Sequence, residues 1–213
     1  MTESTPPRRR GRPPKVPREH PDTREALIRS GLEVLTEQGF MAAGIDGILK
    51  RVGVPKGSFY HYFASKEAFG RAVLEQYAEY FARKLDRYLC DDALSPLSRI
   101  EAFAEDAKAG MARHAFQRGC LVGNLGQEVG LLPDSYRAAL ERVLGDWQQR
   151  LAKCLFEARK SGELSADADC DALADYFWIG WEGAVMRAKL SESPGPLETF
   201  VTAYLAGLPR RRG

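Results

Sequence analysis

The sequence predicts an all-α chain, on three observations. Helical spacing of apolar residues recurs in segment after segment, at about 22–38, 45–52, 56–62, 65–88, 96–114, 133–160, 168–190 and 196–207. Gly39, Gly53 and Pro55 punctuate the first three segments, where helices stop or begin. With 213 residues, 44% of them hydrophobic, the chain can build one or two compact helical cores.

Residues 1–20 stand apart. Six of the twelve prolines fall in the first 21 positions and no apolar periodicity runs through them, so this arm is expected to be disordered when free. Arg8, Arg9, Arg10, Arg12, Lys15 and Arg18 against Glu3 and Glu19 give residues 1–19 a net charge of +4 and leave the remainder at −2. A basic arm on a nearly neutral body is the footprint of a polyanion-binding protein. The core Arg10-Gly11-Arg12-Pro13 resembles an AT-hook, in which the glycine lets the backbone lie deep in a narrow minor groove while Arg10 and Arg12 follow its negative potential. A solubilising basic tail is the plainer alternative.

Asp22, with Glu25 three residues on, is the expected N-cap of the first helix. Ile28, Leu32 and Leu35 make its apolar stripe, and Gly39 ends it with Phe40 folding back onto Leu35. In the second helix Ile45, Ile48, Leu49 and Val52 fall on one face, Gly53 stops it, and Val54 packs back on Leu49. Pro55 cannot continue that helix, but its fixed φ suits the start of a third. A sharp Gly53-Val54-Pro55 turn between two short helices is helix-turn-helix geometry.

The third helix has four aromatic rings in five residues, at Phe59, Tyr60, Tyr62 and Phe63. Phe59 and Phe63, at i and i+4, are the expected core anchors. Lys56, Ser58, Tyr60 and His61 are left to face a groove as phosphate and base contacts. Ser65 is the expected N-cap of the fourth helix. Lys66 in its first turn opposes the helix dipole unless negative charge, such as a DNA phosphate, lies nearby.

Two later stretches depart from plain helical pattern. Residues 118–128 hold Gly119, Gly123 and Gly126, each costing about 1 kcal/mol against alanine in a helix, together with Cys120, Asn124, Gln127 and Glu128. Such a loss of local stability points to a packing or binding role. Residues 176–183 set Trp178, Trp181 and Glu182 in an otherwise apolar helix. They read either as a helix buried all round or as a pocket wall, with Glu182 or Asn124 orienting a ligand. A small-residue strip at Gly180, Gly183 and Ala184 and an apolar face at Phe200, Val201, Tyr204, Leu205 and Leu208 read as a subunit interface, or as internal packing.

Residues 24–70 resemble the DNA-binding domain of the TetR family of bacterial repressors. The likeness is carried by the unbroken run from Gly53 to Phe63 and by Ser65-Lys66-Glu67. Pro55 and Gly44 depart from it, each removing a hydroxyl that would cap a helix or touch phosphate. The resemblance implies about nine helices, a helix-turn-helix domain at 21–70, and a ligand-sensing and dimerisation domain at 71–213. It implies a homodimer, formed through the helices at 168–190 and 196–207, that binds a palindromic double-stranded operator with half-sites about 34–36 Å apart. Lys56, Tyr60, His61 and Lys66 match the family's phosphate contacts, and Gly57 and Ser58 its positions near base edges.

The Cys120 run and residues 177–183 are similar to the subgroup responding to acrylate or to thiol-reactive electrophiles such as N-ethylmaleimide. The implied effector is acrylate or a related small carboxylate or electrophile, with Cys120, Asn124, Trp178, Trp181 and Glu182 as sensor residues. Arg113, Arg118 and Arg187 are candidate partners for a carboxylate. Arg118 and His114 are placed in sequence to stabilise a Cys120 thiolate, which would make a redox or electrophile sensor.

Other classes are disfavoured. No apolar run approaches the roughly 20 residues of a membrane span, and the basic, proline-rich start lacks the apolar core of a signal peptide. The expected location is cytoplasmic, on the nucleoid. Cys90, Cys120, Cys154 and Cys170 form no C-x-x-C pair, so neither a zinc site nor any other cofactor is expected. An enzyme using Cys120 with His114 lacks a third orienting group and a phosphate loop, so no catalytic residue is assigned.

Overall fold

The computed structural model describes residues 20–210, with side chains from residue 23. The basic arm, including Arg10 and Arg12, lies outside the described residues. Among the described residues the chain forms α1 (His20–Gln38), α2 (Ile45–Val52), α3 (Lys56–Tyr62), α4 (Lys66–Leu89), α5 (Pro96–Ala112), α6 (Leu121–Gln127), α7 (Asp134–Ser161), α8 (Cys170–Ser191) and α9 (Gly195–Gly207), and no strand. None of these helices is long and apolar enough to cross a membrane.

The front three helices close on Phe59, which is fully buried with its ring 5.5 Å from Phe63 and 5.2 Å from Phe69 of α4. Leu27, Ile28, Leu35, Ile48 and Leu49 complete that core. The turn between α2 and α3 follows from its residues. Gly53 is left-handed (φ 71°), its N–H and that of Val54 both donate to the Leu49 carbonyl, and Pro55 is extended at the N-cap of α3. Ser65 caps α4 by accepting from the Ala68 N–H at 3.0 Å.

Two details of the first helix differ from expectation. It begins at His20, so Asp22 lies within it rather than before it. At its other end Gly39 is left-handed, but the Phe40 N–H donates to Glu128 Oε2 at 2.7 Å instead of to a carbonyl of α1. A carboxylate from the larger domain therefore completes this stop.

The fourth helix belongs to both halves. Phe69 and Val73 face the front core; Tyr77, Phe81, Leu85 and Leu89 face the rear one. The rear core gathers Phe81, Phe103, Trp147, Phe177, Trp178 and Trp181 from α4, α5, α7 and α8 into one aromatic cluster. Across the molecule's far side, α9 lies on α8. A Cβ at Gly180 would sit 2.2 Å from the Phe200 ring, so the glycine permits the close approach. Gly180 thus serves packing within the chain, and Ala184, Tyr204, Leu205 and Leu208 are likewise buried. For these residues the internal-packing alternative describes the strip, while Gly183, Phe200 and Val201 stay half-buried. The apolar residues that α8 leaves exposed are instead Tyr176, Ile179, Met186 and Leu190.

Candidate functional site

The surface of α3 is open. Gly57 has nothing within 4 Å of a Cβ position, Lys56, Tyr60 and His61 are exposed, and Ser58 is half-buried. Lys56 Nζ lies 3.3 Å from Asp46 in an ion pair exposed on both sides, which a stronger polyanion displaces at little cost. Neither Gly44 before α2 nor Pro55 before α3 supplies a side-chain cap, as their missing hydroxyls require. Lys66 does not stand on this open surface. Its ammonium reaches the Met41 carbonyl at 3.4 Å and lies 4.6 Å over the Phe40 ring, with Glu128 supplying the nearby negative charge.

Behind this head, α1, α4, α5, α8 and the segment from Arg113 to Cys120 line an open cavity of about 230 Å³. Tyr77, Phe81 and Trp181 wall it, and Cys120 lies at its margin. Among the described lining residues four are basic (Lys84, Arg113, His114 and Arg118) and none is acidic. Two of the cations are already committed: Lys84 to Asp106 at 2.6 Å, and Arg118 to Glu37 at 3.1 Å and Glu33 at 3.6 Å. Arg113 also faces this cavity, whereas Arg187 is exposed on α8 outside it.

Cys120 is buried at the N-cap of α6, where its sulfur accepts the Gly123 N–H at 3.5 Å and the Tyr77 hydroxyl at 3.6 Å. Burial, and then the Glu182 carboxylate, push the thiol well above its ordinary value. Arg118 is turned to α1, so the cation expected to stabilise a thiolate is spent elsewhere, and Cys120 is a neutral thiol here. Burial also raises Glu182, to about 7, with the Cys120 hydrogen bond opposing. A Cβ at Gly123 would lie 2.1 Å from Glu182 Oε2, so that glycine makes room for the acid.

The remaining sensor candidates part company. Asn124 donates to the Leu35 and Thr36 carbonyls at 3.1 and 3.0 Å; it caps α1 rather than orienting a ligand. With Glu182, Cys120 and Lys189 it lines a second groove of about 280 Å³, which shares Gly119, Cys120 and Val185 with the first. Trp181 lines the first cavity and stacks on Phe177 at 5.5 Å, while Trp178 is buried outside its lining, 5.1 Å from Trp147. Sequence reasoning passed over Trp147, and it noted Glu128 only as a polar break in its stretch, with no partner assigned. Both act through residues far away in the chain and carry no local signal.

Residues 27–73 match the family described as bacterial regulatory proteins, tetR family, and residues 96–204 match the tetracyclin repressor-like C-terminal domain. The chain is 56% identical over 196 residues to the transcriptional regulator AcuR of Cereibacter sphaeroides, covering 92% of this chain and 89% of that protein. It is 34% identical to the transcriptional repressor NemR of Escherichia coli K12, covering 83% and 89%. A crystal structure of a regulatory protein TetR from Rhodobacter sphaeroides superposes with a TM-score of 0.86 at 56% identity, covering 87% of this chain and 98% of that one. These relatives are regulators, which decides against an enzyme built on Cys120 and His114. The chain belongs to the TetR family of helix-turn-helix transcriptional regulators.

Proposed function

We propose that this regulator is a repressor that binds a palindromic operator as a homodimer and releases it when a small carboxylate, acrylate or a near relative, fills the cavity. One observation carries the effector class: an apolar cavity of about 230 Å³ with four basic lining residues, no acidic one, and aromatic walls. Such a lining attracts a small anion and shelters its hydrocarbon end. The likeness to AcuR supports the same reading.

In this reading residues 21–70 read DNA, with Lys56, Tyr60 and His61 on phosphates and Gly57 and Ser58 at base edges. Lys66 contributes through its hold on the Met41 turn, and the basic arm follows the minor groove through Arg10 and Arg12. Residues 71–213 sense and dimerise. The dimer contact is the exposed stripe of α8, where Ile179 is 68% and Leu190 80% exposed, and where Tyr176, Ile179, Gly183, Met186 and Leu190 follow the three-four spacing of a helix seam. The protein works in the cytoplasm, on the nucleoid. Swinging the dimer from 99:1 to 1:99 between operator-fitting and released states needs about 5.5 kcal/mol of ligand preference.

Gel shift on DNA upstream of its own gene, with and without sodium acrylate, tests this reading. Unchanged operator affinity at saturating acrylate discards the acid as effector. The alternative, a redox or electrophile sensor acting through Cys120, demands a thiolate that burial and Glu182 oppose. A Cys120→Ser protein that still responds to acrylate separates the two.

A further inference from the structure

Three buried side-chain polar atoms have no hydrogen-bond partner among the described residues: Trp147 Nε1, Trp178 Nε1 and Glu182 Oε1. They occupy one neighbourhood. Trp178 and Glu182 are one turn apart on the same face of α8, and the Trp147 ring is 5.1 Å from that of Trp178. Tyr77 joins the two ends, with its hydroxyl on the Cys120 sulfur beside Glu182 and its ring 6.4 Å from Trp147. Leaving buried donors unsatisfied is costly, and a fold that keeps two adjoining indole rings with both N–H groups unpartnered has a use for them.

These indoles stand directly behind the inner wall of the cavity. Phe81, a wall residue, has its ring 4.4 Å from Trp147 and 6.2 Å from Trp178, and it stacks on Tyr77 at 5.6 Å. Tyr77 and Phe81 are neighbours one turn apart on α4, the helix that carries the reading head. Resting on the effector reading above, we propose that the cavity extends inward when Tyr77 and Phe81 swing aside, and that the indole N–H groups of Trp147 and Trp178 then hold the effector's carboxylate.

The chemistry is consistent. A carboxylate taken out of water needs directed donors, and two neutral N–H groups supply them without a second buried charge. Lys84 and Arg118 in the lining keep their carboxylate partners and draw the anion in. Glu182 is the third group. Protonated, it donates; ionised, it repels. The titratable groups around it are Tyr77 from α4, Cys120 ahead of α6, and Lys189 on its own helix, whose ammonium is held by α1 carbonyls. Burial keeps Tyr77 and Cys120 neutral, so carboxylate binding near neutral pH draws a proton onto Glu182. Tyr77 and Phe81 belong to α4, which also packs on α1 of the reading head, so admitting the ligand loads the link between cavity and head.

The test removes the N–H alone. Benzothienylalanine replaces Trp147 or Trp178 in the full-length protein, keeping ring size while sulfur takes the place of N–H. Sodium acrylate and sodium propionate are titrated by calorimetry in two buffers of different ionisation enthalpy. Each replacement is expected to weaken binding by about tenfold or more, with thermal melting reporting intact packing, and the wild type takes up protons on binding. Replacements that bind acrylate as the wild type does overturn this inference and leave the effector reading standing. A wild type that binds neither acid overturns both.

Discussion

Replacing Glu182 by glutamine changes one titration and little of the shape. Burial holds the Glu182 carboxyl at about 7 in the folded chain, against 4.5 when exposed, despite the opposing hydrogen bond to Cys120. The folded state therefore keeps a proton that the unfolded state gives up between those values. The sign follows from linkage: this contribution is fully present below about pH 4.5 and is lost as pH rises toward 7. At about 1.4 kcal/mol per pKa unit the loss amounts to about 3 kcal/mol. Glutamine does not titrate, so the difference between the wild type and Glu182→Gln isolates this group from every other ionisation. The variant is expected to match the wild type near pH 5 within about 1 kcal/mol and to exceed it by about 3 kcal/mol at pH 8. Urea unfolding followed by tryptophan emission measures this at one fixed protein concentration, because dimer stability depends on concentration. With a slope of about 2 kcal/mol per molar urea, the midpoints separate by about 1.5 M at pH 8. Curves that stay parallel between pH 5 and pH 8 would show that Glu182 is not buried as an acid, and the argument built on it would fall.

Glycine substitutions give a paired contrast in α6. Gly126→Ala meets nothing within 4 Å and is expected to raise stability by up to about 1 kcal/mol, whereas Gly123→Ala evicts Glu182 and gains less, which thermal melts of the two will rank. Gly180→Ala forces the Phe200 ring aside and is expected to cost about 1–3 kcal/mol, read as a lower urea midpoint. Lys56→Ala is expected to lower the salt dependence of operator binding by about one unit of log–log slope, measured by fluorescence anisotropy across salt; an unchanged slope removes Lys56 from the phosphate contacts.

Local signals made the reading head legible. A left-handed glycine, a following proline and a serine cap each act within a few residues, and α2 and α3 run over the segments that their apolar spacing predicts, Ile45–Val52 and Lys56–Tyr62. The sixth helix was not legible, because its glycines argue against helix and its cap is a cysteine sulfur. It is held by burial of Leu121, Val122 and Leu125, a tertiary effect that overrides propensity. Asn124 looked like a ligand contact because a polar residue broke an apolar stretch. Its partners lie 88 and 89 residues away, beyond any spacing rule. Cys120 and Trp181 line the cavity, but the neighbours that set their surroundings, Tyr77 and Phe103, come from other helices.

Those long-range contacts define how the two halves speak to each other. Of the last carbonyls of α1, that of Leu35 takes the Gly39 N–H, and donors from the rear of the chain reach it and those of Thr36 and Glu37. Asn124 donates to Leu35 and Thr36, the Gly119 N–H to Thr36 at 3.2 Å, and Lys189 to Thr36 and Glu37 at 3.2 and 2.7 Å. Arg118 adds its pair with Glu37, and Glu128 accepts the N–H groups of Phe40 and Met41 just beyond. All but Lys189 sit on or beside α6, and the residue that caps α6 is Cys120. The end of α1 is thus clamped by a short helix of weak intrinsic stability whose first turn is anchored on the cavity margin. A ligand that disturbs Tyr77 strikes this assembly twice: directly through α4, and through the Cys120 sulfur that Tyr77 shares with the start of α6. Both routes end on α1 and α4, which pack against the helix-turn-helix, so under the proposed reading a displacement small enough for a cavity of about 230 Å³ would reach the spacing of the reading heads without a separate lever.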